Sequence, residues 1–166
     1  MSVVAARVYN DRIVMAADSI VVRGWSKDTK RDFSKINEIN GMIVGSVGSA
    51  EEGSLFQNFM RTHKPDSATE KDVLSFVIEF SNYKRGLTGD YKMSNDYLLA
   101  VTGHLFFIHN MLVYEIKEYG AIGAGEDFAN AALYLGHSAS EAVDVACNLC
   151  CMVSEPIIEY AMNKEE

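Results

Sequence analysis

The order of strand and helix patterns constrains the fold of this chain more than any other feature. β-Branched and apolar strand patterns come first and two amphipathic helix patterns follow, and a second block of strands and two helices then completes the 166 residues. Antiparallel hairpins separated from helix pairs are typical of the α+β class rather than of alternating βαβ units. We therefore expect a four-layer αββα sandwich in which two antiparallel sheets pack face to face between helix pairs, with residues 1–166 as a single domain.

The strand predictions rest on apolar, β-branched runs that are separated by turn residues. Asn10-Asp11 and Asn40-Gly41 both have the composition of tight hairpin turns, and Asn-Gly is among the strongest short-range hairpin signals. Strands are predicted at residues 3–9, 12–18, 35–39, 42–47, 97–102, 105–109 and 111–116.

The helix predictions rest on apolar residues at helical spacing. The predicted helices cover residues 49–62, a segment from 69 that ends before 85, about 126–135, and 138–153. Ser138-Ala139-Ser140-Glu141 matches a capping box at the start of the last helix, and Pro156 lies just past its end. Three polar or glycine-containing connections remain, at residues 23–34, 85–95 and 121–125. Trp25, in the first of them, either faces a neighbouring subunit or covers its own loop.

The charge of the chain excludes several classes of function. A formal net charge of −8 leaves no basic stripe for phosphates, so neither nucleic acid nor an anionic membrane is an expected partner. No apolar run approaches the ~18 residues of a spanning helix, and no signal-peptide pattern is present at the N-terminus. We expect a cytoplasmic protein.

The cysteines do not form a disulfide framework. Cys147, Cys150 and Cys151 lie close together, and the first two form a C-x-x-C pair that suggests metal or redox chemistry. No second ligand cluster accompanies the pair, so buried small helix residues are the better interpretation. The sequence therefore predicts no metal site and no cofactor.

Ser2 is the strongest candidate for chemistry, because removal of Met1 would make it the N-terminal residue. A free α-amine has a pKa near ~7.7–8.0 and is partly neutral at physiological pH. A hydroxyl residue at the N-terminus then carries its own general base. Ser2 also starts a predicted strand, and the neighbouring strand ends in Ala17-Asp18-Ser19.

Four segments in order resemble the proteasome β-subunit family, and above all its bacterial HslV-type peptidases. They are Ser2 with its strand, Ala17-Asp18-Ser19, Ser34-Lys35-Ile36, and Gly45-Ser46-Val47-Gly48-Ser49-Ala50-Glu51. A weaker fifth segment is Ala121-Ile122-Gly123-Ala124-Gly125. The resemblance covers nearly the whole chain, with Lys35 one residue further along than is usual in the family.

The resemblance implies an N-terminal nucleophile peptidase with four catalytic residues. Ser2 would attack the peptide carbonyl, its amine would act as base, and the Lys35 ammonium, held by Asp18, would favour the ionised hydroxyl. The Gly48 N–H would stabilise the oxyanion. The implied substrate-binding residues are Ser19, Ile20, Val21, Gly45, Ser46, Val47 and Ser49.

The resemblance also implies an assembly. We expect homo-oligomeric rings, two stacked hexamers or heptamers, that enclose the active sites and degrade unfolded polypeptides delivered by an ATP-driven AAA+ unfoldase. Two alternatives remain: a ring subunit that has lost activity and serves as a scaffold, and an amidohydrolase that acts on a small amide without a chamber.

The chain departs from the family around the N-terminal amine. Serine replaces the family's threonine and lacks the methyl group that helps to fix χ1, so we expect a slower or less selective nucleophile. Ala124 stands where HslV has a serine, and Cys150 and Val153 stand where proteasome subunits place an Asp and a Ser. Ser154 would substitute if the helix end shifted by one residue.

Overall fold

The computed structural model describes residues 1–23, 26–28 and 34–164. Within these ranges the strands are β1 Val3–Val8, β2 Arg12–Asp18, β3 Val21–Arg23, β4 Ser26–Asp28, β5 Ile36–Ile39, β6 Met42–Val47, β7 Asp96–Val101, β8 His104–His109, β9 Leu112–Ile116, β10 Tyr119–Gly123 and β11 Ile157–Asn163. The helices are α1 Ala50–Met60, α2 Glu70–Thr88, α3 Glu126–Tyr134 and α4 Ala139–Leu149.

Two antiparallel sheets form the centre of the molecule. One has the strand order β10-β1-β2-β11, the other has the order β5-β6-β7-β8-β9, and β3 pairs with β4 in a separate hairpin. Val4 of β1 lies opposite Ala17 of β2, and Gly45 of β6 lies opposite Leu98 of β7. The N-terminal strand is therefore central in its sheet, which fixes the position of Ser2.

Three apolar cores separate four layers. The core between the sheets contains Val4, Met15, Ile43 and Leu98. The core under α1 and α2 is aromatic, with the rings of Phe56 and Tyr97 4.4 Å apart. The core under α3 and α4 is rich in alanine, so that these helices lie close to β1 and β2; its alanines are Ala5, Ala16, Ala129, Ala132, Ala139, Ala142 and Ala146. The predicted αββα sandwich is confirmed.

Two predicted helix ends were wrong. Helix α2 continues three residues past 85 and ends at Thr88, where Gly89 adopts φ +78° and donates its N–H to the Arg85 carbonyl. Helix α4 ends at Leu149 instead of Val153, because Cys150 adopts an extended backbone conformation.

Four strands were not predicted: β3 and β4, which pair with each other, and β10 and β11. β11 pairs with the whole of β2, from Ile157 opposite Asp18 to Asn163 opposite Arg12. β10 begins at Tyr119, inside what the sequence suggested to be a connection and a turn, and pairs with β1 through Gly123. β10 and β11 are held by tertiary pairing on either side of the β1–β2 hairpin.

The cysteines are less buried than predicted. Cys147 is half-buried in α4, Cys150 follows the helix, and Cys151 is exposed. Within the described residues, no group of His, Cys, Asp or Glu side chains has the arrangement of a metal site. None of the described helices is long and apolar enough to cross a membrane. Trp25 lies outside the described residues.

Candidate active site

A buried ion pair joins the two sheets next to the N-terminus. Asp18 is the last residue of β2, and Lys35 comes immediately before β5. The Lys35 Nζ lies 2.7 Å from Asp18 Oδ2, and both side chains are almost fully buried. The Val3 N–H donates to Asp18 Oδ1 at 2.8 Å. Asp18 therefore ties the backbone that follows Ser2 to the lysine of the opposite sheet.

Burial disfavours the charged forms of both side chains in this pair. Loss of solvent raises the pKa of Asp18, although the Lys35 ammonium and the Val3 N–H act against the rise. Loss of solvent likewise lowers the pKa of Lys35, with the Asp18 carboxylate opposing it. Lys35 therefore gives up a proton to a neighbouring group more readily than an exposed lysine would.

Lys35 also points at the peptide bond that precedes Ser2. Its Nζ donates to the Met1 carbonyl oxygen at 3.1 Å, and this carbonyl is bonded to the Ser2 nitrogen. The ammonium is therefore placed next to the residue that the sequence predicts to be the nucleophile. Met1 is largely exposed and Ser2 is half-buried, so this end of the chain is open to solvent.

A cavity of about 340 Å³ opens in front of Ser2 and Lys35. The described residues that line it are Met1, Ser2, Ile20, Val21, Ser34, Lys35, Ser46, Gly48, Ser49, Ala50, Gly53, Ser54, Gln57 and Asn95. Lys35 is the only charged side chain among them. The cavity is large enough for one side chain and the adjoining backbone of a peptide.

Gly48 occupies a turn that no other residue fits. It joins β6 to α1 with φ +122°, and a Cβ atom here would lie 2.3 Å from Asn95 Oδ1. Ser49 caps the helix by accepting the Glu52 N–H on its hydroxyl. The turn therefore stands at the positive end of the α1 dipole, where N–H groups favour a developing negative charge.

The cavity contains most, but not all, of the predicted site residues. Six of the predicted residues line it together with Ser2: Ile20, Val21, Lys35, Ser46, Gly48 and Ser49. Asp18 lies behind Lys35, and the Ser19 hydroxyl donates to the Pro156 carbonyl at 2.7 Å. Gly45 and Val47 face the core between the sheets because side chains alternate along β6. These two residues, like Ser19, contribute no side chain to the cavity.

Sequence reasoning missed one wall of the cavity. Ala50, Gly53, Ser54 and Gln57 follow the i, i+3, i+4, i+7 spacing of one helix face, opposite the apolar face of α1. That small, polar stripe was a usable signal. Asn95 gave no such signal, because it lies in the segment before β7 and comes close to the Gly48 turn only in the folded chain.

On the side of β10, the backbone of Ser2 is closely packed. Gly123 approaches so closely that a Cβ atom would lie 2.3 Å from the Ser2 carbonyl oxygen. Val153 is buried in the core under α4, and the Cys150 thiol makes a weak contact with the Ala124 carbonyl at 3.5 Å. The backbone of Ser154 also acts to lower the pKa of Asp18.

The chain is similar to several solved structures. No protein-family model and no curated protein matches the sequence. Thiobacillus denitrificans BPH in complex with epoxomicin has a TM-score of 0.88 and 19% identity over 99% of this chain and 100% of its own. HslV from Trypanosoma brucei has a TM-score of 0.74 and 18% identity over 97% and 99%. Anbu (ancestral beta-subunit) from Yersinia bercovieri has a TM-score of 0.72 and 16% identity over 96% and 80%. The chain therefore has the αββα fold of these solved structures, among them HslV.

Proposed function

We propose that this chain is an N-terminal nucleophile endopeptidase of the proteasome and HslV type, with Ser2 as the nucleophile after Met1 has been removed. The observation that carries the proposal is the position of Lys35. Its ammonium is bound by the buried Asp18 and lies 3.1 Å from the carbonyl oxygen that precedes Ser2, at the mouth of a cavity. A lysine on the solvated surface would be bound neither by a buried carboxylate nor by the carbonyl oxygen that precedes Ser2.

The proposed reaction begins with the free Ser2 amine. The Ser2 Oγ attacks the substrate carbonyl carbon while the amine takes the hydroxyl proton, and the Lys35 charge favours the ionised oxygen. The tetrahedral intermediate collapses when the C–N bond breaks and the leaving amine takes the proton. Water then attacks the Ser2 ester with the same amine as base, which releases the acid product and restores the hydroxyl.

Two features support binding of a peptide chain. The Gly48 turn at the start of α1 offers an N–H to the oxyanion, and removal of one such donor typically slows an enzyme about 10²–10³-fold. The cavity wall of Ser46, Ser49, Ser54 and Gln57 supplies small polar groups next to the apolar Ile20. Such a lining suits an extended polypeptide substrate better than a single charged small molecule.

The proposed assembly is a double ring of identical subunits, six or seven in each, in the cytoplasm. A chamber of this kind admits only unfolded polypeptides, so an AAA+ unfoldase is the proposed partner. Native mass spectrometry tests this part directly. We expect twelve or fourteen copies of the 18.4 kDa chain, and a monomer would argue for an amidohydrolase without a chamber.

The decisive experiment is the reaction with a peptide epoxyketone, followed by intact mass. This probe bonds to a hydroxyl and to the free α-amine next to it, so it reports both groups. We expect a chain that lacks Met1 and carries one probe at Ser2. Ser2→Ala should lose the adduct and peptide hydrolysis, and Ser2→Thr should keep both. Retention of activity in Ser2→Ala would refute the nucleophile.

A second candidate function, an inactive ring subunit, has one observation in its favour. At the positions where the related peptidases place polar groups near this amine, the chain has Ala124, the buried Val153 and Cys150, none of which has a strongly hydrogen-bonding side chain. With Met1 attached, moreover, the Ser2 nitrogen is an amide and cannot act as a base. Retained Met1 and no adduct, in a chain that still forms rings, would establish this candidate instead.

A further inference from the structure

A second buried ion pair lies under the Gly48 turn and has no part in the proposed reaction. Glu52 of α1 and Lys84 of α2 are both buried, with Lys84 Nζ 2.9 Å from Glu52 Oε2. The Glu52 carboxylate also accepts the Ser94 N–H, the Asn95 N–H at 3.0 Å and the Tyr97 hydroxyl at 3.1 Å. Glu52 therefore fixes the backbone of the segment before β7.

This use of Glu52 leaves a gap in the cap of α1, and Asn95 fills it. Ser49-x-x-Glu52 has the pattern of a capping box, in which the glutamate would accept the N–H of the capping serine. The Glu52 carboxylate points towards residues 94–97 and accepts hydrogen bonds from them. Instead, the Ser49 N–H donates to Asn95 Oδ1 at 2.6 Å, and Asn95 Nδ2 donates to the Ser49 carbonyl at 2.8 Å.

Asn95 thus holds both backbone groups of Ser49 with one rigid amide. The side chain is almost fully buried, and its own backbone is anchored by Glu52. It also occupies the space that a Cβ atom on Gly48 would need. The hydrogen bond from the Ser49 N–H fixes the orientation of the peptide unit between Gly48 and Ser49. The next backbone donor towards the N-terminus is the Gly48 N–H.

We propose that Asn95 is a positioning residue that sets the oxyanion turn at Gly48–Ser49, with the Glu52–Lys84 pair as its anchor. The inference rests on the proposed function, since it concerns the same site. Displacement of a catalytic donor by about 1 Å lowers the reaction rate on the order of 10²-fold. Two hydrogen bonds from a buried amide are suited to prevent such movement.

The neutral amide is also the right group electrostatically. An aspartate would keep the acceptor for the Ser49 N–H, but it would lose the donor to the Ser49 carbonyl. It would also place a negative charge beside the turn where negative charge develops. Asn95→Asp therefore provides a pH-dependent test, because protonation of the new carboxyl group restores a donor and removes the charge.

The experiment compares Asn95→Ala, Asn95→Asp and Ser81→Ala by steady-state hydrolysis of a fluorogenic peptide. Ser81 of α2 is the matched control, because its buried hydroxyl donates to the Tyr91 carbonyl, in the same segment before β7, at 2.7 Å and does not touch the turn. We expect Asn95→Ala to lower kcat by about 10- to 100-fold with KM changed by less than about threefold. Ser81→Ala should lower Tm with kcat unchanged.

The pH profile separates positioning from stability. The ratio of kcat for Asn95→Asp to kcat for the unchanged chain should rise as the pH falls and the new carboxyl is protonated. A flat ratio, or an Asn95→Ala variant with full kcat, would overturn the inference. If Asn95→Ala does not fold, the Asn95→Asp profile alone decides.

Hydrogen exchange distinguishes failure of this inference from failure of the proposed function. Absence of a Ser2 adduct in the unchanged chain counts against the function only. The peptide that contains Ser49 should still exchange one amide faster in Asn95→Ala than in Ser81→Ala, because the Ser49 N–H has lost its acceptor. Equal exchange in the two variants would show that Asn95 does not hold the turn.

Discussion

The Asp18–Lys35 pair stabilises the fold and, in the proposed reaction, also holds the lysine ammonium beside Ser2. Both side chains are buried, and the carboxylate also holds the Val3 N–H. Removal of one partner from a buried pair leaves a charge without compensation and costs about 3–5 kcal/mol, whereas replacement of both by neutral groups costs far less. Stability and activity should therefore respond differently to single and double substitution.

We predict that Lys35→Met destabilises the chain by about 3–5 kcal/mol and that Asp18→Asn combined with Lys35→Met recovers much of the loss. Urea unfolding measures the free energies. Labelling of Ser2 by the epoxyketone should be lost in the single and the double variant alike, because neither has the ammonium. A double variant that is labelled at the original rate would show that Lys35 is structural only.

The residues of the site differ in how far sequence could identify them. Ser2, Asp18, Lys35 and Gly48 lie at strand and helix ends with characteristic spacing, and the fold brings them to one place. Asn95 carries no such signal, since its contact with Ser49 depends on the direction in which the Glu52 carboxylate points. A buried amide that bonds to a distant backbone can be recognised only once the packing is known.

At the scale of single elements, most strands of local hairpins were predicted, whereas the short β3–β4 hairpin and the strands β10 and β11, which depend on distant partners, were not. β1 and β2 form a hairpin with a recognisable turn, so their positions follow from sequence. β11 has only half-buried and exposed residues, and its partner β2 lies about 145 residues earlier in the chain. Its sequence is therefore a weak strand pattern that tertiary pairing stabilises.

Helix α2 contains a glycine that weakens it without evident benefit. Gly86 is exposed, and a Cβ atom there would meet nothing within 4 Å. We predict that Gly86→Ala stabilises the chain by about 0.5–1 kcal/mol, because alanine loses less backbone freedom on folding.

Gly89 provides the matched control in the same helix. Its surroundings are equally open, but it ends α2 with φ +78°, a conformation that alanine adopts only with strain. Gly89→Ala should therefore destabilise the chain while Gly86→Ala stabilises it. Urea unfolding of the two variants checks the signs, and equal signs would contradict the assignment of Gly89 as the cap.

At the scale of the whole molecule, the site exists only because the two sheets pack closely. Ser2 immediately precedes β1 and Asp18 ends β2 in one sheet, whereas Lys35 immediately precedes β5 and Gly48 follows β6 in the other. The distance between the sheets therefore sets the distance from Ser2, the proposed nucleophile, to Lys35 and Gly48. That distance depends on the side chains between the sheets, which no local pattern in the sequence specifies.

Gly45 lies at a close contact between the two sheets. A Cβ atom there would lie 2.5 Å from Val4 Cγ1 and 2.9 Å from Met15 Sδ. We predict that Gly45→Ala costs about 1–3 kcal/mol through overpacking. It should also slow labelling of Ser2, because β1 must move away from β6 to make room.

Combination with Val4→Ala tests this cause, since it removes the closer of the two colliding atoms. The double variant should be more stable than the sum of the two single losses predicts, by about 0.5–3 kcal/mol, as expected for residues in contact. Its rate of Ser2 labelling should recover towards that of Val4→Ala alone. Strictly additive free energies would mean that the sheets do not separate at Gly45, and the link between sheet spacing and the position of Ser2 would then be wrong.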